Sequence, residues 1–475
     1  MFAIRKSQRA SIGVRPNRCA AQTPTSIQRG ARTPMVRHLL SLCAAAAFGF
    51  PGVSGAQTTT DEQRSAAKAA NADPTLAPDL LLPDRDMAWW RDAKFGIFVH
   101  WGLYAIPAKG EWHMFNDKVP AREYAKLAAQ FNPQRYDPDA WARMAREAGA
   151  RYMVMTARHH DGFSLFDSPS SYGRYDSVHA AAGRDLIAPF VAAVRRNGLR
   201  VGLYYSPLDW RFPGYFRPRE LPDNARLLKQ QTYGQVEELM RGYGQIDILW
   251  WDGGWLAHQG TDADAAWFWE PDKLNRMVRH YQPKIVINPR SGWQGDFDTA
   301  EGGAPITGPI RARPWEKTFS INRSAWGYTR DDNTMSADEV IVLLVNAAVR
   351  NGNILANVSP DPDGMVPAKQ AETLRGVGAW LGRHGKAIYG TRPGPLQPVD
   401  GVYGTTRSGG SIFVHVLSWP TAELRLPLNG PVADVRNLSG AKVAWRRGPG
   451  ALTLAVPTES RGSPVTILEI RRRAS

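Results

Sequence analysis

The chain has 475 residues and a formal net charge of +15, but eight of its Lys and Arg side chains and none of its Asp or Glu fall in the first 56 residues, leaving about +7 on the rest. A mild excess of that size argues against a nucleic-acid-binding protein, whose folded part would carry a strong basic face. Both cysteines, Cys19 and Cys43, also lie in that first stretch, so residues 57–475 have no disulfide, thiol chemistry or thiolate metal site.

Residues 35–38, Met-Val-Arg-His, precede an apolar run over 39–50 and the small residues of 53–56. This is the order of charged region, hydrophobic region and cleavage site in a secretory signal peptide, with cleavage expected before Gln57. Met35 is then the expected start, and residues 1–34 an upstream extension. The apolar run is too short to span a bilayer. Cys43 lacks the preceding small residue of a lipoprotein signal. Export to a periplasm or the extracellular space is the expectation. Residues 57–83, rich in Thr, Ala, Asp and Pro and without sustained periodicity, are expected to be a linker.

From there to residue 390, short strand-like apolar runs alternate with helical patterns. Strands are predicted over 95–101, 152–157, 201–205, 246–251, 285–288, 297–299, 324–328 and 354–358. The clearest helices are predicted over 138–148, 185–196 and 337–349. The first has Asp137 as N-cap, Pro138 at its first position and Gly149 past its end; the third follows Ser336 as N-cap. Eight such alternations predict a (β/α)8 TIM-like barrel over 84–390. Over 391–475, Pro and Gly turns separate β-rich pieces at 411–417, 423–426 and 465–470, which predicts a small C-terminal antiparallel β-sandwich of structural role. No Gly-rich phosphate loop sits on a strand-to-helix turn, so nucleotide chemistry gains no support.

The predicted strand ends are polar. They carry His100, then Arg158-His159-His160-Asp161, Tyr204-Tyr205-Ser206, Asp252, Asn288-Pro-Arg290 and Glu301. In a barrel these ends converge on one mouth, where catalysis is carried. Imidazoles, a guanidinium and carboxylates among tryptophans suit a hydroxyl-rich neutral ligand, whose hydroxyls take hydrogen bonds while its apolar face meets an indole. Taken alone, Asp252 could equally tie down the Gly253-Gly254 turn, and His100 could be a buried histidine bonded to a carbonyl. His100, His159, His160 and Asp161 are ligand types, yet adjacent strand residues point to opposite faces and no His-x-x-x-His pair occurs, so no metal and no other cofactor is expected.

Several pieces occur together: Phe95-Gly-Ile-Phe-Val-His-Trp-Gly102, Glu111-Trp112, Thr156-Ala-Arg-His-His-Asp-Gly-Phe163, Leu203-Tyr-Tyr-Ser206, Leu208-Asp-Trp210, Leu249-Trp-Trp-Asp252, Asn353-Ile-Leu-Ala-Asn-Val-Ser-Pro360 and Ala387-Ile-Tyr-Gly390. Over residues 89–390 the sequence resembles the α-L-fucosidases of glycoside hydrolase family 29. The resemblance implies that Asp252 is the nucleophile. It places sugar contacts on His100, Glu111, Trp112, His159, His160, Tyr204 and Arg290. It lines a pocket for the C6 methyl group of fucose with Phe98, Trp250 and Trp326. The general acid/base would be Glu301 or, in a second recognisable piece, Glu316, with Glu301 favoured. A carboxylate left out of that role would be an ordinary ion-paired acid, beside Arg311 or Arg313.

The implied reaction is retaining, exo-acting hydrolysis of terminal α-L-fucosyl residues through a covalent fucosyl-enzyme, with the two carboxyl groups about 5–5.5 Å apart. The implied partner is a fucosylated oligosaccharide or glycoconjugate, with no nucleic acid and no membrane span; the oligomeric state is open. The alternative is a secreted barrel that binds fucose or another glycan without catalysis.

Overall fold

Short buried runs of Ile, Val, Leu and aromatic residues form eight parallel strands: β1 (Phe95–Val99), β2 (Tyr152–Arg158), β3 (Arg200–Tyr205), β4 (Ile248–Trp251), β5 (Val286–Ile287), β6 (Asp298–Glu301), β7 (Trp315–Ser320) and β8 (Gly352–Val358). The structure is a computed structural model, and it describes residues 77–215, 217–253, 268, 270–331 and 333–472. The expected signal peptide, residues 57–76 of the expected linker, Trp255 and all but Phe268 of the loop over 260–269 lie outside the described residues.

The strands form one curled sheet in the order β5-β4-β3-β2-β1-β8-β7-β6, each neighbour pair parallel. Strands β1, β2, β4 and β8 are buried along their whole length, as a sheet covered on both faces requires. The covering helices are α1 (Asp84–Ala93), α2 (Pro138–Glu147), α3 (Ile187–Arg196), α4 (Pro222–Gly242), α5 (Pro271–Tyr281), α6 (Ala337–Ala348) and α7 (Ala368–His384). Their starts obey local chemistry: the Asp137 carboxylate accepts from the Ala140 amide at 2.9 Å, and Ser336 with Glu339 forms a reciprocal capping box on α6.

Three expectations need correction. The seventh strand is not at 324–328 but at β7, whose Glu316 and Lys317 disguise a fully buried run. Residues 324–328 form a loop. The strand–helix alternation also fails twice, since neither the β5–β6 nor the β6–β7 connection contains a helix. Both are broken by Gly and Pro, including Pro289, Gly292 and Gly295 in the first and Gly302, Gly303, Pro305 and Pro309 in the second. Finally, the linker ends before residue 83, because Ala77 and Leu80 are buried in the main core and the Leu82 amide donates to Asp296 at 2.9 Å.

Strands β5 and β6 share no ladder. The seam between them is stitched at Asp296, whose amide donates to the Ile287 carbonyl at 2.7 Å while its carboxylate accepts from the Ile287 amide at 2.8 Å and from Arg279. The helix-free segment after β6 is likewise held by side chains: Asp400 accepts from the Gly308 amide at 3.1 Å and from Arg350 at 2.6 Å.

Beyond α7 the chain forms two antiparallel sheets, β13-β16-β11-β10-β9 and β12-β15-β14. They comprise β9 (Arg392–Pro393), β10 (Tyr403–Ser408), β11 (Ser411–Val416), β12 (Glu423–Leu426), β13 (Val432–Asn437), β14 (Ala444–Gly448), β15 (Ala451–Ala455) and β16 (Thr466–Arg472). A second apolar core lies between the sheets, with Trp419 and Trp445 packed against it. Phe413, Val465 and Ile467 join the barrel core instead.

Candidate active site

Asp252 leaves β4 at its C-terminal end and is held from three sides. Tyr204, on β3, donates its hydroxyl to Oδ2 at 2.9 Å; Arg290, just beyond β5, donates to Oδ1 at 2.8 Å; and His160 Nε2 lies 3.6 Å from Oδ2. The Asp252 Oδ1 also accepts from the Gly253 amide at 3.0 Å, so the residue anchors its own turn as well. That turn needs glycine: Gly253 has φ +73°, and a Cβ there would stand 2.8 Å from Ser206 Oγ and Leu208 Cβ.

The second arm of Arg290 donates to Glu301 at the end of β6. One guanidinium therefore spans the two carboxylates. Burial works against its charge, but Glu301 and Asp252 more than offset this and hold the guanidinium pKa above its ordinary value.

Glu316 is elsewhere. It is the second residue of β7, 1% exposed, and lies inside the barrel, where Tyr152 donates its hydroxyl to Oε2 and the Trp250 indole donates to Oε1 at 3.1 Å. Neither Arg311 nor Arg313 reaches it: Arg311 stacks over Trp315 and Arg313 pairs with Asp298. Burial without a counter-charge pushes its carboxyl up to about 7. The expected ion-paired acid is instead a carboxyl with neutral donors under the floor of the site.

The three histidines line one wall. His100 is oriented by a residue the sequence did not single out: Asn357 of β8 accepts at Oδ1 from the His100 amide at 3.0 Å and bonds His100 Nδ1 at 2.8 Å. With Nδ1 protonated, Nε2 remains as an acceptor facing the mouth. The partner is thus a side-chain amide and not a backbone carbonyl. Burial, before any neighbour, lowers the His100 pKa to about 4 and that of His159 well below its ordinary value, so both rings are neutral near pH 7. His159 stacks on Tyr204 with ring centroids 5.6 Å apart, and among the described residues its buried Nδ1 has no partner. His160 Nδ1 meets Ser206 Oγ at 2.6 Å. Asp161 turns away, accepting from the Phe163 amide and Tyr124.

Phe98 stands at the centre of the predicted apolar patch, with its ring 5.3 Å from Trp250 and 6.2 Å from Trp326. Arg290 lies over the Trp250 ring at 5.2 Å. Trp326 arrives on the loop mistaken for a strand, and Glu111 secures that loop by accepting from the amides of Trp326 at 3.0 Å and Gly327 at 2.8 Å. Glu111 is thus a loop anchor in this structure. A Cβ on Gly327 would come within 2.7 Å of the Tyr104 ring, so the loop fits only with glycine. Trp112 borders His160 at 5.3 Å and packs edge-on against Trp210, which, with Phe115, extends the aromatic wall outward.

The mouth therefore combines a bridged carboxylate pair, neutral histidines offering single hydrogen-bonding atoms, and an aromatic patch. This can hold a polyhydroxylated ring with one apolar edge and carry out two-carboxylate chemistry on it.

Comparison with known proteins bears on the same region. The family model described as Alpha-L-fucosidase matches residues 63–386. Tissue alpha-L-fucosidase of Mus musculus is 31% identical over 385 residues, covering 73% of this chain and 82% of that protein. That of Homo sapiens is 30% identical over 365 residues, covering 70% and 76%. Among solved structures, Alpha-L-fucosidase isoenzyme 1 from Paenibacillus thiaminolyticus has a TM-score of 0.73 at 33% identity, covering 82% of this chain and 99% of that one. An alpha-L-fucosidase from Bacteroides thetaiotaomicron, described as a trapped covalent intermediate with 2-fluoro-fucosyl fluoride, has a TM-score of 0.75 at 26% identity, covering 85% and 99%.

Proposed function

This chain belongs to the α-L-fucosidases of glycoside hydrolase family 29, and from that membership we propose that it removes terminal α-L-fucosyl residues from glycans with retention of configuration. The observation that carries the reading is the Arg290 bridge between Asp252 and Glu301. A single planar guanidinium can span only carboxylates that lie close together, which favours the retaining spacing of about 5–5.5 Å over the wider inverting one.

In the first step Asp252 attacks the anomeric carbon while Glu301 gives its proton to the departing glycosidic oxygen, so one C–O bond forms as the other breaks. In the second, Glu301 takes a proton from water, whose oxygen displaces Asp252 and releases fucose. Tyr204 and Arg290 donate to Asp252 and temper its charge. His100 and His159, neutral at working pH, serve as hydrogen-bonding partners for sugar hydroxyls. Phe98, Trp250 and Trp326 receive the C6 methyl group. Exo action fits a ring enclosed by the mouth with its anomeric carbon at Asp252.

Export is part of the proposal and rests on the leader: the mature chain should begin at Gln57, which N-terminal sequencing of protein recovered from the periplasm or medium checks.

The test of the chemistry is release of the aryl alcohol from an aryl α-L-fucoside by the parent and by Asp252→Gly, with and without azide. Turnover in the parent, near-silence in the variant and rescue as a fucosyl azide of inverted configuration are expected. An unchanged rate in Asp252→Gly would remove Asp252 from the nucleophile role. A parent inactive on every fucoside linkage would leave a glycan-binding barrel.

A further inference from the structure

The basic excess of this chain is unevenly placed. Residues 391–475 carry eleven Lys or Arg against five Asp or Glu, so most of the roughly +7 outside the leader lies in the C-terminal sandwich. Three of these arginines converge at one end of it. In the β9–β10 register Arg407 stands directly opposite Arg392, in the same cross-strand row as Ile412 and Ile470. Arg472 lies two residues beyond Ile470 on β16, so its side chain leaves the sheet on that same face. The face that holds the sandwich core thus ends in a fringe of positive charge.

Like charges directly opposite on antiparallel strands destabilise the pair. Asp92 answers only one of them, accepting from Arg392 at 2.6 Å. Arg472 donates to the Asn429 carbonyl at 2.7 Å, and among the described residues the Arg407 guanidinium has no hydrogen bond or ion pair. These side chains line an open cleft of about 680 Å³, whose lining also includes Ser408, Ser411 and the Gly409-Gly410 turn, and in which Asp92 is the one acid. Beside Asp92 lies Lys94, 1% exposed, whose ammonium has no hydrogen bond or ion pair among the described residues. Burial first, and then the Arg392 charge, push its ammonium pKa down to about 7. In the lining itself three arginines face one acid.

We propose that this pocket binds a sugar unit bearing a sulfate or phosphate ester, with the tetrahedral oxyanion seated among Arg392, Arg407 and Arg472. Arginine forks match such oxyanions in geometry and charge. The volume falls within the range of small-molecule sites, roughly 300–1,000 Å³, and exceeds what a bare ion needs. The backbone of the Gly409-Gly410 turn supplies neutral partners for a sugar ring, while the Ser411 hydroxyl is taken up by Glu469 at 2.9 Å. Asp92 lies in the last turn of α1, just before β1 begins, so the pocket lies at the end of the barrel where strands begin, away from Asp252. The proposal therefore does not depend on the catalytic reading.

Calorimetric titration of the full-length mature protein with galactose 6-sulfate, galactose and inorganic sulfate at low ionic strength tests it. The sulfated sugar should bind with a Kd of about 1 mM or tighter, neutral galactose should not bind, and inorganic sulfate should bind more weakly. Arg407→Gln and Arg472→Gln should each weaken binding about tenfold while leaving thermal stability and aryl fucoside turnover as in the parent. Equal binding by parent and both variants, or no binding of the sulfated sugar to the parent, would overturn the site. Inorganic sulfate binding as tightly as the sulfated sugar would overturn the sugar component. Retention on anionic phospholipid vesicles that Arg407→Gln abolishes, with the sulfated sugar unbound, would reassign the pocket to a membrane surface.

Discussion

The Trp250 indole donates to Glu316 at 3.1 Å from above, so the aromatic floor of the proposed sugar site rests on a buried carboxyl. Arg290 lies over the same indole, and Tyr204 stacks beside it with centroids 6.1 Å apart. Both residues in turn donate to Asp252. Glu316 is thus three contacts from the proposed nucleophile, and acts on it by positioning the indole.

This arrangement separates the two acids experimentally. Glu301→Gln should slow fucosides with poor leaving groups far more than activated aryl fucosides, because only the former need a proton, and azide should then give a product of retained configuration. Glu316→Gln should change both substrate types alike. A steepened leaving-group dependence in Glu316→Gln, measured as kcat/KM across substituted aryl fucosides, would return the acid role to that residue.

Glu316 also makes a stability prediction with a definite sign. Its folded pKa of about 7 lies above its ordinary value of 4.5, so the folded state keeps the proton more readily than the unfolded one. Its contribution is fully present below about pH 4.5 and is lost as pH rises to about 7, by up to about 3 kcal/mol. Glu316→Gln should flatten that decline. Asp161, raised to about 6 by burial, gives a decline of the same sign in both proteins, so the check is the difference in Tm between parent and variant from pH 4.5 to 8.

Asn357→Ala should uncouple His100. It removes the acceptor of the His100 amide and ring and the donor to the Trp326 carbonyl, 2.7 Å away. Buried groups left unpaired cost about 1–3 kcal/mol, so kcat/KM on an aryl fucoside should fall roughly 10- to 100-fold. Asn357→Asp, which keeps the acceptor, should recover part of the loss.

Trp326→Ala should affect selectivity more than rate. In the proposed role the aromatic patch would distinguish a methyl from a hydroxymethyl group, a difference of about 1–3 kcal/mol in an apolar pocket. The ratio of kcat/KM for aryl α-L-fucoside over aryl α-L-galactoside should therefore drop by about tenfold or more. An unchanged ratio would place the methyl group elsewhere.

Much of this was readable because the relevant signals are local. Strands such as Phe95–Val99 and Ile248–Trp251 are continuous apolar runs, and Asp137 and Ser336 announce their helices within four residues. β7 was missed because Glu316 and Lys317 look like surface residues; what makes Glu316 an interior residue is Tyr152, 164 positions away. Residues 324–328 alternate like a strand, yet the hydrogen bonds that fix them come from Glu111, 215 positions away at Trp326. The site residues came from motif resemblance, which marks positions but not partners. Asn357 belongs to the piece at 353–360, whose sequence does not encode a bond to His100, 257 positions away. Arg290 was expected to touch sugar, and its span between two carboxylates became legible only with coordinates.

The seam between β5 and β6 bears on how this scaffold can vary. Asp252 stands on one bank, at the end of β4, and Glu301 on the other, at the end of β6. Elsewhere in the sheet the distance across strands is dictated by the backbone ladder, at about 4.8 Å per step. Across this seam it is set by a backbone bond from the Asp296 amide to the Ile287 carbonyl and otherwise by exchangeable side chains, Arg290 at the mouth and Asp296 lower down. A residue gained or lost in the helix-free stretches on either side could shift the second carboxylate without unzipping any strand pair. The barrel thus holds Asp252 in a rigid frame and leaves Glu301 on an adjustable bank.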